Sequence, residues 1–176
     1  MIQFILLFAV YLVVVVLGSY YVNLYVTHDR FSKEELKAVI PYLAQLGNKI
    51  TADYSIPAIA LTFGVASLLG IAFPMLSEHW FLNSSILFVA LFLAFPLVKK
   101  NIERANVTTG GTLYDTAIFI FVKYYNFIVV GFGAGTATAI MYNWAVYKSI
   151  HFLWFLANFI LISILTGIAV NHIAND

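Results

Sequence analysis

Residues Leu113 to Tyr147 read LYDTAIFIFVKYYNFIVVGFGAGTATAIMYNWAVY. As one straight helix this stretch would be roughly 50 Å long, against about 30 Å for the hydrocarbon core of a bilayer. Aromatic residues divide it. Tyr125-Asn126-Phe127 recurs seventeen positions later as Tyr142-Asn143-Trp144. Tyr and Trp favour the two membrane interfaces, and seventeen helical residues rise about 26 Å, close to one hydrocarbon thickness. The two triplets therefore read as interface anchors bracketing a span over 125–146. Residues 113–124 are then either a tilted or interfacial helical extension, with Lys123 at the edge of the core, or the start of one long tilted helix.

The rest of the chain supports this reading. Of its 176 residues, 62% are hydrophobic and 10% charged, whereas soluble domains are about 45–50% apolar and about 25% charged. No soluble fold of this length hides so much apolar surface, so soluble enzymes, nucleic-acid binders and disordered chains are excluded. There is no cysteine, which removes disulfides, thiolate metal sites and cysteine nucleophiles. Further apolar runs cover 2–26, 55–76, 80–98 and 149–171. The first has no basic residue before it and is longer than a signal-peptide core, so it is expected to be a retained span. The expected architecture is all-α: one polytopic integral membrane bundle of five transmembrane helices in a single domain, 1–176.

Orientation follows from the cations. Arg30, Lys33, Lys37, Lys49, Lys99, Lys100, Arg104 and Lys123 fall on one side of this topology, and only Lys148 on the other. The positive side is expected to be cytoplasmic. That puts the N-terminus outside and the C-terminus in the cytoplasm, with a bacterial inner membrane as the expected location. The segment 32–50 on that side reads as amphipathic. Ser32 and Glu35 fit a capping box, Leu36, Val39, Ile40, Leu43, Leu46 and Ile50 recur at helical spacing, and Pro41 predicts a kink or two short helices. It is either a helix on the inner membrane surface or a connector packed on its own bundle.

Three constellations carry the functional reading. Gly131 and Gly135, extended by Ala139, form a small-residue stripe of the kind that lets helices approach closely in lipid. Its partner is a helix of the same chain or of a second protomer. Thr136, Thr138 and Asn158 place polar groups at mid-membrane, with Thr62, Ser67, Ser163 and Thr166 adding more. Such groups either bond backbone carbonyls or line a pathway. Glu78, His79 and His151 collect at the outer face as metal-ligand candidates, and the pairs His79/His151 at the outer ends and His28/His172 at the inner ends give a reading with two bis-histidine haems, one on each side. Both need spatial adjacency, and no cofactor is expected.

No span carries an acid at mid-depth, which argues against a proton-driven carrier. Two functions remain. The first is a small channel or transporter for an ion or small solute, acting as a homo-oligomer. The second is a non-catalytic assembly or accessory subunit of a larger membrane complex. A membrane-embedded enzyme or haem protein ranks below both. The expected partners are membrane lipids and further copies or other membrane subunits, not nucleic acid.

Overall fold

The computed structural model describes residues 1–27, 35–51, 55–72, 113–148 and 150–175. Every regular element among them is helical. α1 is Ile2–Thr27, α2 is Val39–Ile50, α3 is Ser55–Ala72, α4 is Leu113–Lys123, α5 is Tyr125–Tyr142 and α6 is Phe152–Asn175. A 3-10 turn, Glu35–Ala38, leads into α2, and a wider π-helical turn, Asn143–Tyr147, continues α5. Four stretches are long and apolar enough to cross a membrane: Ile2–Tyr25, Ser55–Ala72, Tyr125–Tyr147 and Phe152–Asn175. They overlap the expected spans over 2–26, 55–76, 125–146 and 149–171, of which residues 73–76 and 149 lie outside the described residues. The span expected over 80–98 lies outside the described residues.

The last of these helices is displaced relative to the reading from sequence. Lys148 takes a left-handed conformation (φ 55°), which ends the π turn, and α6 starts only at Phe152. At its far end α6 runs on to Asn175, whose side-chain Nδ2 donates to the Asn171 carbonyl at 2.9 Å and to Asn23 Oδ1 at 3.1 Å.

In α1, α3, α5 and α6 apolar residues surround the whole helix, so amphipathicity does not choose the packing face. Small residues and isolated polar groups choose it instead. α5 packs most extensively on α3 and next on α6, while α1 packs on α6 and only lightly on α5. α1 and α6 run parallel: Lys148, just before α6, donates to Gln3 Oε1 at 3.3 Å, the Tyr11 and Phe159 rings lie 6.0 Å apart, and Asn23 meets Asn175. α5 and α6 are antiparallel, since Gly133 faces Thr166 and Trp144 stacks on Phe155 at 4.6 Å. α3 and α5 run in the same direction: Gly131 abuts Ile59 and Thr62, Gly135 abuts Phe63 to Ser67, and Asn143 reaches Gly70.

The stretch over 113–147 is helical throughout but bent. Tyr124 departs from helical geometry (φ −105°, ψ 13°), yet the hydrogen-bond ladder continues from Tyr124 N to Ile120 O (3.0 Å) and from Ile128 N to Tyr124 O (2.9 Å). α4 is therefore joined to α5 through Tyr124 without a break in the ladder.

α2 seats on the end of the bundle where α1 and α6 finish. Tyr42 Oη and Ser19 Oγ share a hydrogen bond of 2.8 Å, Gln45 Nε2 donates to the Ala174 carbonyl, and Ser55 Oγ at the start of α3 donates to Lys49 O at 3.3 Å. Pro41 falls in the first turn of α2, where its missing N–H is no loss. The break it predicts thus appears just before it, as the 3-10 turn. Ser32 lies outside the described residues, and Ala38 provides no side-chain cap.

Candidate functional site

The centre of the molecule is the seam where α5 meets α3 on one face and α6 on the other. A Cβ on Gly131 would fall on the Thr62 hydroxyl and within 2.5 Å of the Ile59 carbonyl. One on Gly135 would lie 2.6 Å from the Phe63 carbonyl and 2.8 Å from Ala66 Cβ. Any side chain at either position would meet backbone, which cannot turn away. Ala139, next on the same face, is fully buried. The partner seated against Gly131 and Gly135 is therefore α3 of the same chain. Gly133 points the other way, and a Cβ there would strike the Thr166 hydroxyl. The run Gly131-Phe132-Gly133-Ala134-Gly135 thus serves two interfaces at once.

One turn past Ala139 the same stripe ends in Asn143, which is fully buried. Its Nδ2 donates to Gly70 O at 3.0 Å and to Ala139 O at 2.9 Å. The residue four beyond Gly70 is Pro74, which has no N–H, so an α-helical i+4 hydrogen bond to that carbonyl is ruled out. Asn143 supplies the donor from another helix. The sequence reading placed Asn143 at an interface with its aromatic neighbours. Its role shows only once α3 lies beside it.

Of the pathway candidates, Thr136 Oγ1 donates to Phe132 O (2.9 Å), Thr138 Oγ1 to Ala134 O (2.8 Å) and Asn158 Nδ2 to Trp154 O (2.7 Å). Each hydrogen bond returns to the preceding turn of its own helix, and all three residues are buried. Ser67 Oγ crosses to Gly135 O at 3.4 Å. Tyr11 Oη donates to Thr166 Oγ1 at 3.1 Å, and Thr166 passes the chain on to Ile162 O at 2.7 Å. Tyr11 is almost completely buried in the middle of α1, a position sequence reasoning passed over. A lone phenol within an apolar run was the available signal, because a buried hydroxyl needs a partner. Among the described residues no buried side-chain nitrogen or oxygen lacks a partner.

The remaining candidates are not brought together among the described residues. Glu78 and His79 lie outside them, as does His28, while His151 is exposed just before α6 and His172 is exposed in its last turn. None of the four apolar stretches contains Asp, Glu, Lys or Arg. At the end opposite α2, Lys148 Nζ rests 4.8 Å from the Trp144 ring centre.

No family model, curated protein or solved structure matches the chain. Its class rests on the fold: among the described residues every regular element is helical, and four helices are long and apolar enough to cross a membrane.

Proposed function

We propose that the chain is a five-span integral membrane protein acting as a non-catalytic assembly or accessory subunit of a larger membrane complex. The observation that carries this is the state of its mid-helix polar groups. Thr136, Thr138, Asn158, Thr166, Ser67 and Asn143 are all engaged in hydrogen bonds within the chain's own helices. Ser67 and Asn143 bond across the α3–α5 seam, at roughly 1 kcal/mol or less each, and the other four return to carbonyls of their own helix.

The topology supports five crossings. α3 and α5 run the same way, and on the membrane reading the apolar run 80–98 is the segment suited to cross back between them. Lys37, Lys49 and Lys123 cluster at the α2 end and Lys148 at the other, which favours a cytoplasmic α2.

The test is to tag the full chain, extract it from its native membrane in mild detergent and weigh the released particle by native mass spectrometry. A defined assembly with a different protein at fixed stoichiometry is the expected result. A homo-oligomer that conducts solute in liposomes would overturn this proposal in favour of the channel reading.

A further inference from the structure

α2 presents two apolar edges, only one of which meets the bundle. Tyr42 and Leu46 are buried against it, at 6% and 7% exposure. Ile40 and Leu43 lie on a second edge, at 75% and 40% exposure. With Lys37 one turn earlier and Gly47 one turn later they form a stripe at three- and four-residue spacing.

The depth of α2 says what that stripe faces. Tyr42 is bonded to Ser19, which lies six residues inside Tyr25, the last residue of the apolar stretch of α1. Six helical residues measure about 9 Å. Amphipathic interfacial helices lie about 5–10 Å into the boundary between headgroups and acyl chains. Leu17 and Tyr21, the neighbours of Ser19 along α1, are themselves exposed, so the surface at this level is continuous with the outer face of the first span.

We infer that the Ile40–Leu43 edge of α2 is a lipid-binding surface, seated in the interfacial layer of the leaflet on that side. The acyl chains cover Ile40 and Leu43, and the Lys37 ammonium snorkels to the phosphate layer. The inference rests on the membrane reading above and adds a second, in-plane attachment to it.

The chain has no cysteine, so single-cysteine variants carry a label only where one is placed. Nitroxide labels at Ile40→Cys and Leu43→Cys would be compared with Val13→Cys on the outer face of α1 and Asn48→Cys on the exposed side of α2. The full chain is reconstituted in phosphatidylcholine–phosphatidylglycerol vesicles. The readout is collision with oxygen, which concentrates in lipid, against a water-soluble nickel chelate. The expected result is a severalfold higher oxygen-to-nickel ratio at positions 40 and 43 than at 48, approaching that at 13. Nickel access at 40 and 43 equal to that at 48, with 13 still oxygen-rich, overturns the inference and leaves the spans intact. Shielding of 40 and 43 from both reagents means protein covers the edge and also overturns it. Nickel access at all four positions removes the membrane reading itself.

Discussion

The side-chain amide of Asn143 donates to the carbonyl of Gly70 across the α3–α5 seam at 3.0 Å. The bond closes a stripe that begins at Gly131 and repeats every fourth residue through Gly135 and Ala139. Three small residues bring the helices together, and one amide pins their register at the end. Replacing Asn143 by Leu leaves the Gly70 carbonyl without this donor. The expected loss is about 1–3 kcal/mol of stability, read from denaturant titration in mixed micelles.

The glycines divide by what lies beyond them. Gly135→Ala forces a methyl group against the Phe63 carbonyl and Ala66, and is expected to destabilise by about 1–3 kcal/mol. Gly64→Ala, on α3, meets nothing within 4 Å and should be neutral or stabilising, by up to about 1 kcal/mol. Equal losses at both positions, measured by the same titration, would mean the close approach of α3 and α5 is not the reason for the glycine.

Tyr11 and Thr166 provide a coupled pair. Tyr11→Phe leaves Thr166 still bonded to Ile162, whereas Thr166→Val strands a buried phenol. The second variant is expected to be the less stable. A double-mutant cycle should return a coupling near 0.6 kcal/mol and below about 1.7, the range found for hydrogen bonds between membrane helices. A coupling of zero would mean the two hydroxyls do not interact.

Tyr42 gives the attachment of α2 a pH dependence. Burial pushes its phenol up, and the Ser19 hydrogen bond opposes this only in part. The folded state thus favours the neutral phenol. The stability this contributes is fully present below the unfolded value of about 10 and is lost as pH rises through the folded one. Hydrogen exchange of the α2 amides should be insensitive to this group from pH 6 to about 9 and rise more steeply above about 10. In Tyr42→Phe the phenol component of that rise should vanish. An unchanged alkaline profile in that variant would mean that the phenol does not contribute to the rise.

Helix positions and their approximate ends were readable from the sequence because apolar length encodes them directly. The aromatic repeat at Tyr125 and Tyr142 falls at the two ends of α5. Packing faces were harder to read. A helix apolar on every side has no stripe to point inward, so only Gly131 and Gly135 announced a contact, and they did so without naming α3. Gly133 was legible as part of the same run but not as serving the opposite face. Asn143 was hidden because its partner is a backbone carbonyl, and backbone carbonyls have no sequence signature. The absence of an N–H at Pro74 was the one visible trace of that need.

The parallel run of α3 and α5 also bears on the order in which the molecule can be built. Contacts of the first half of the chain lie largely with the second: α3 rests on α5, and α1 rests on α6. As synthesis proceeds, α3 emerges with the Ile59 and Phe63 carbonyls lining a groove that only Gly131 and Gly135 fill, more than sixty residues later. Among the described residues α1 and α3 have little contact with each other, so in a nascent chain halted before Gly131 that groove on α3 would still be open.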